Sequence, residues 1–299
     1  MTPVTSTAHK GLARYLSAED GFNIKRPDLA ARVFDRELEG AFDAGTPTGV
    51  LLLDESARLQ TAFPATLPLV LARYLRIRAG ETFTTRHKAS GEIHVVLAGS
   101  GQTEQQEQVI DWRTGDVFLL PGGIETQHRA GTQDAVLFSV TNEPLLAFER
   151  LEPPTRGNAV IAPTHYPASD LQPHLDRLCT RPMYDDTAGR ALNLSSAPMA
   201  EARTCLPSLT VTFNAVLPGE SQRPHRHNAA ALVLVLRPGG CYSMIDGQRF
   251  GWRANGVLLT PPQAVHWHRN DGTELGLALI VQDGGLYYHC RTMGFAFAS

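Results

Sequence analysis

The chain matches itself at a constant offset, and this internal repeat constrains the fold more than any local pattern. Gly99 and Gly239, Trp112 and Trp252, Pro121 and Pro261, His87 and His227, and His128 and His268 all stand 140 positions apart. Around the tryptophans, Trp112-Arg113-Thr114-Gly115-Asp116-Val117-Phe118-Leu119-Leu120-Pro121 runs beside Trp252-Arg253-Ala254-Asn255-Gly256-Val257-Leu258-Leu259-Thr260-Pro261. Five anchors in one register are not the work of chance in a chain of ordinary complexity. They point to two copies of one domain, and such a repeat decides the fold before local propensity does. A length of 299 residues fits, since a domain averages about 150 residues. The expected units are residues 1–150, opened by a helical arm, and residues 151–299.

Each copy reads as β-structure. Leu209, Val211, Phe213, Ala215 and Leu217 alternate with Thr210, Thr212 and Asn214, the period of a half-buried strand. Leu75 and Ile77 alternate with Arg76 and Arg78 in the first copy. Turn signals are dense: Ala79-Gly80-Glu81, Pro121-Gly122-Gly123, Pro218-Gly219-Glu220, Pro238-Gly239-Gly240 and Asp246-Gly247. Short strands at that spacing predict an all-β sandwich or barrel. The clearest helix lies outside the repeat, where Asp28 follows Pro27 as a cap and Leu29, Val33, Phe34, Leu38 and Phe42 form an apolar stripe. The proline-broken stretch from Glu152 to Pro207 joins the two units. His289, beside Tyr287 and Tyr288, reads as part of a C-terminal strand at the surface or at a subunit contact.

Composition closes off several classes. Hydrophobic residues make up 42% of the chain and charged residues 19%, which builds a core and excludes a solvated disordered chain. A net charge of −3 offers no field for nucleic acid or an anionic membrane. The longest apolar stretch, near Ala229 to Leu236, is far below the ~20 residues of a spanning helix. Met1 to Tyr15 lacks the apolar segment of a signal peptide. Cys179, Cys205, Cys241 and Cys290 are scattered without a CxxC pair, so neither a disulfide framework nor a zinc knuckle is indicated. The expected location is the cytoplasm.

The strongest chemical signal is Pro224-His225-Arg226-His227. Histidines at i and i+2 of a strand point to one face and can share a metal ion. Composition alone predicts roughly 0.4 such HxH pairs, whereas the chain has a second one in His266-Trp267-His268. Both fall at the ends of strands that the repeat defines independently. Arg223, Arg237 and Arg269 flank these strands and are candidates for forked contacts to a carboxylate. No Ser-His-Asp order, phosphate loop or paired-carboxylate motif competes.

At this point the sequence resembles the cupin superfamily. Gly219, the five residues Glu220 to Pro224, His225-Arg226-His227 and Gly239 follow its first motif, with Leu232 at the usual glutamate position. Asn255 (in place of glycine), Pro261 and His266 follow the second. Loss of the glutamate, retention of both HxH pairs and the phrase Ile245-Asp246-Gly247-Gln248-Arg249-Phe250-Gly251-Trp252 resemble the gentisate 1,2-dioxygenase group of two-barrel cupins. The resemblance spans roughly Leu69 to Val140 and Leu209 to Val281.

The resemblance implies two tandem double-stranded β-helix (jelly-roll) barrels and Fe(II) held by His225, His227 and His266, with Zn, Mn or Ni as other occupants of the same site. Three neutral imidazoles leave positions open for a hydroxy-carboxylate and O2. The implied reaction opens the ring of a small aromatic acid of the gentisate or salicylate type, and the implied assembly is a dimer or tetramer. His268 shares a strand face with His266 and is the candidate relay, with Arg237 as the candidate carboxylate contact. A non-redox isomerase and a non-catalytic small-molecule-binding protein are the competing classes. One departure stands out, because that group keeps an intact site in its N-terminal barrel. Here Thr85 and Thr126 take the places of His225 and His266, leaving His87, Glu92, His94 and His128. That cluster is expected to be metal-free, its polar groups pairing with one another.

Overall fold

A computed structural model describes residues 10–155, 157–183 and 187–298; Met1 to His9, part of the stretch read for a leader, lie outside them. The sequence repeat is a structural one. Strands Leu71–Ile77, Thr82–Thr85, Gly91–Ala98, Ser100–Gln105, Gln108–Arg113, Val117–Pro121, Thr126–Ala130 and Ala135–Thr141 build the first barrel. Strands Thr210–Val216, His225–His227, Ala231–Arg237, Cys241–Ile245, Gln248–Gly251, Val257–Thr260, His266–Asn270 and Gly276–Gln282 build the second in the same order. A short helix follows each set, Glu143–Glu149 and Gly284–Cys290. Each barrel faces a six-stranded antiparallel sheet with a smaller one, of four strands in the first and five in the second. The protein is all-β with a few short helices.

The six-stranded sheets are buried on both faces. Tyr74, Ile93 and Phe138 of the first barrel share one core with Phe213, Leu232 and Leu279 of the second. Inside the barrels lie Leu75, Phe118 and Leu137 on one side, and Val233, Leu258 and Ile280 on the other. Burial on two faces is why Ala229 to Val235 is an unbroken apolar run rather than an alternating one. It also reverses the meaning of the alternation in Thr210–Val216. The apolar members Val211, Phe213 and Ala215 pack in the shared core, and Thr210, Thr212 and Asn214 line a cavity inside the second barrel.

The two halves also exchange strands. Arg32–Val33 pairs with Leu259 and Leu258 of the second barrel. Thr164–Tyr166, from the connecting segment, pairs with Leu119 to Val117 of the first. Each repeat unit thus opens with a short strand that extends the other unit's large sheet. That pairing protects a sheet edge that a lone barrel would expose.

Two local expectations need correction. The helix read from Asp28 runs only from Asp35 to Phe42, with Leu38 and Ala41 buried. Arg32 and Val33 are taken by the strand exchange, and the Phe34 N–H donates to Val257 O at 3.2 Å. Tyr287 to His289 lie on the helix Gly284–Cys290, and the C-terminal strand is Phe295–Phe297. The connecting segment carries a further helix, Ala168–Thr180, which buries Leu171, Leu175 and Leu178. Among the described residues, no helix is long and apolar enough to cross a membrane.

Candidate metal centre

His225 and His227 occupy alternate positions of one short strand, and His266 opens the strand beside it, directly opposite His225. The i, i+2 spacing and the cross-strand pairing deliver three imidazoles to one point inside the second barrel. Their nearest ligand atoms all lie within 4.8 Å of one another. Ring centroids are 4.4 Å apart for His225 and His266, and 4.7 Å for His227 and His266. Among the described residues no other group of three His, Cys, Asp or Glu side chains converges in this way.

The second nitrogen of each ring decides what the cluster can do. Nδ1 of His225 donates to the Arg223 carbonyl at 2.9 Å, that of His227 to the Ala229 carbonyl at 2.8 Å, and that of His266 to the Ala264 carbonyl at 2.9 Å. A carbonyl only accepts, so Nδ1 carries the proton in all three rings and Nε2 keeps its lone pair. Burial lowers the pKa of all three, and for His266 the neighbouring His225 and His227 push it further, to about 2. Three neutral imidazoles with fixed tautomers and convergent lone pairs are the donor set of a divalent transition metal, and the residues present fit one. Gln282 stands at the rim of this set, its amide Nε2 donating to Nε2 of His227 at 3.2 Å.

His268 is a different kind of histidine. The Trp252 indole donates to Ser243 Oγ at 2.8 Å, and Ser243 Oγ lies 2.9 Å from Nδ1 of His268. The first barrel repeats the arrangement: Trp112 donates to Thr103 Oγ1 at 2.8 Å, which lies 2.8 Å from Nδ1 of His128. All three positions obey the 140-residue offset, so this tryptophan–hydroxyl–histidine chain belongs to the fold itself. His268 nevertheless lines the cavity, and burial followed by repulsion from His225 and His227 lowers its pKa to about 3. The sequence held the signal, since Thr103 and Ser243 are both hydroxyl residues in matching places.

The cavity measures about 610 Å³. The three arginines read as carboxylate contacts are not among its lining residues. Arg237 is exposed at the end of a strand whose other end, Ala231, lines the cavity; six steps of strand separate them by roughly 20 Å. Arg223 stacks over the Phe297 ring at 3.8 Å, and Arg269 pairs with Asp271 at 2.6 Å. The cation that does line the cavity is Arg203, in the connecting segment, where no repeat or motif marked it. Phe295 was also missed. Its strand pairs with His225–His227, and its ring centroid lies 5.4 Å from that of His225.

In the first barrel the corresponding positions hold a different set of side chains. Thr85 and Thr126 are buried at two of the three histidine positions. Arg73 Nη1 lies 2.6 and 2.9 Å from the two ring nitrogens of His87, and Nη2 donates to Thr141 at 3.1 Å and to Glu143. Arg73 is the third residue of its strand, opposite Ser139; the third residue of the matching strand in the second barrel is Thr212, opposite Ile280. A guanidinium therefore brings positive charge where the second barrel leaves room. Glu92 and His94 meet at 3.1 Å. Burial raises the Glu92 carboxyl to about 7 and holds His94 well below its usual range.

No family model matches the chain. It is 28% identical over 148 residues, 47% of this chain, to a 5-aminosalicylate 1,2-dioxygenase from a Comamonas species. The match spans 38% of that protein's length. Among solved structures it resembles a variant salicylate 1,2-dioxygenase from Pseudoaminobacter salicylatoxidans, in complex with gentisate. The TM-score is 0.77 at 12% identity over 98% of this chain and 93% of that one. It also resembles a cupin 2 conserved barrel domain protein from Leptotrichia buccalis, with a TM-score of 0.54 at 15% identity over 87% of this chain and 97% of that one. At such identities the likeness is one of fold. The chain has the fold of a two-barrel cupin. Within that class it is similar to the gentisate and aminosalicylate 1,2-dioxygenases.

Proposed function

We propose that the protein is an Fe(II)-dependent dioxygenase that opens the ring of a small hydroxylated aromatic acid of the gentisate or salicylate type. The observation that carries this reading is the set of three buried imidazoles whose Nδ1 protons are all fixed on backbone carbonyls, leaving three Nε2 lone pairs convergent. His225, His227 and His266 would hold the ion. Iron held there would supply the redox chemistry that O2 activation needs. A nitrogen-only site binds Zn or Ni more tightly than Fe(II), so purified protein can carry either.

The chain's own residues bind, orient and keep water out. Thr210, Thr212 and Asn214 form a polar wall, while Val233, Ile280 and Phe295 form an apolar one, a division that suits a ring bearing oxygen substituents. In the proposed tautomer of His268, Nδ1 accepts from the Ser243 hydroxyl 2.9 Å away and Nε2 carries the proton offered to an anionic oxygen of the bound acid. In the proposed reaction both atoms of O2 enter the product, and the ring bond between the carboxyl-bearing and hydroxyl-bearing carbons breaks. None of the described residues lining the cavity is a carboxylate, which counts against an isomerase built on a strong general base.

Cys179, Cys205, Cys241 and Cys290 are all free thiols, in keeping with a reducing cytoplasm. Exposed Leu12, Tyr15, Phe22 and Ile24 on the N-terminal arm favour assembly as a dimer or tetramer. The test of function is oxygen uptake. Protein loaded with Fe(II) under anaerobic conditions should consume O2 and bleach the aromatic absorbance when given a panel of hydroxybenzoates. No uptake across the panel, with turnover under another metal, would transfer the protein to the isomerase class.

A further inference from the structure

We propose that Arg203 anchors the carboxylate of the ligand and thereby makes the cavity selective for aromatic acids over neutral phenols. The assignment rests on reading the cavity as the site for an aromatic acid. Among the described lining residues, Arg203 is the only permanently charged side chain, and none is Asp or Glu. No carboxylate among the described lining residues offsets its charge. Several arginines elsewhere are engaged by carboxylates: Arg73 with Glu143, Arg76 with Asp134, Arg190 with Glu220 and Arg253 with Glu39. Among the described residues, the Arg203 guanidinium has no carboxylate within ion-pair distance. An unpaired guanidinium at a cavity wall is a ready fork for a planar carboxylate.

The backbone holds this side chain deliberately. Arg203 has φ +57°, the left-handed region that a branched or long L-residue enters only when its surroundings demand it. Its N–H donates to the Met199 carbonyl at 2.8 Å, closing the turn after Ala197–Met199. Immediately downstream, Thr204, Cys205 and Leu206 are buried, and Leu206 packs in the core shared by the two barrels. A turn pinned on both sides presents one exposed cation to the cavity. An oxygen of the ligand's carboxylate that the metal leaves free is the group it would take.

The test is binding without turnover. Salicylate and 2-hydroxybenzamide have nearly the same shape, but only the first is an anion. Their dissociation constants are measured by calorimetry on metal-free and on Zn-loaded protein, so that the ion's own pull on the carboxylate is separated. Wild type should prefer salicylate. Arg203→Ala should shrink that preference by about 10-fold to 100-fold in both forms, the usual worth of a charge-assisted hydrogen bond. Arg203→Lys should fall between the two, keeping the charge and losing the fork. Metal content should be unchanged in both variants. A preference that survives intact in Arg203→Ala, or none in wild type, overturns the assignment. If the preference and its loss are as expected while Fe(II)-loaded protein leaves O2 untouched, the anchor stands and the dioxygenase reading fails.

Discussion

Replacing Arg73 tests whether the first barrel is held together by a guanidinium. In Arg73→Met the stem is kept and the charge removed from a side chain that is 1% exposed. What remains is Glu143, whose carboxyl is depressed from 4.5 to about 2. Burial works to raise it, and is outweighed by the hydrogen bond from His87 and the charge of Arg73. A drop of that size corresponds to about 3 kcal/mol of favourable interaction above pH 4.5, at ~1.4 kcal/mol per unit, part of it owed to His87. Removing one member of a buried pair costs about 3–5 kcal/mol in general, so a loss near 3 kcal/mol is expected. The assay is urea denaturation at neutral pH for wild type, Arg73→Met, Glu143→Gln and the double variant. The coupling energy between the two sites should be about 2 kcal/mol. The sign of the pH dependence follows from a depressed carboxyl. Its contribution is present above the unfolded value and disappears as pH falls through about 2, so the wild-type advantage should shrink in strong acid. A cost below about 1 kcal/mol with no coupling would refute the reasoning, and the cluster would then be incidental.

The buried histidines carry a second linkage. His94, His128, His225, His227, His266 and His268 all have pKa values lowered chiefly by burial. The unfolded chain therefore binds protons below about 6.5 that the native state refuses, and stability should fall between pH 7.5 and 5.5 by up to ~1.4 kcal/mol per unit for each group. Glu92, raised to about 7 mainly by burial, opposes one histidine over that range. Denaturation midpoints measured at the two pH values check this, and a midpoint unchanged or higher in acid would contradict it. In the second barrel, His268→Ala should keep its metal while turnover drops ~100-fold to 10,000-fold, the range of a lost proton donor. Metal analysis with steady-state rates decides that, and loss of the metal in His268→Ala would make it a ligand.

Much of the architecture was legible because it was written twice. The 140-residue offset carried the two barrels, and strand periodicity carried the convergence of His225 and His227. Periodicity shows that two sets of side chains face opposite ways, but not what covers each face. The polar set Thr210, Thr212 and Asn214 therefore faces a cavity rather than bulk water. The helix boundary failed for a related reason. Arg32 and Val33 continue an amphipathic pattern, yet a sheet edge more than two hundred residues away claims them. Arg73 was invisible because its partners His87, Thr141 and Glu143 come from other segments. Arg203 and Phe295 lie outside the paired motifs, and only the folded chain brings them to the histidines.

Metal stoichiometry tests the central claim most directly. Wild-type protein reconstituted with Fe(II) or Zn, then dialysed against a weak chelator, should retain one ion per chain by elemental analysis. His266→Ala, folded as judged by circular dichroism, should retain none, because one of three protein bonds to the ion is gone. Two ions per chain, or an ion kept by His266→Ala, would contradict the account and return the first-barrel cluster of His87, Glu92, His94 and His128 to consideration as a metal site.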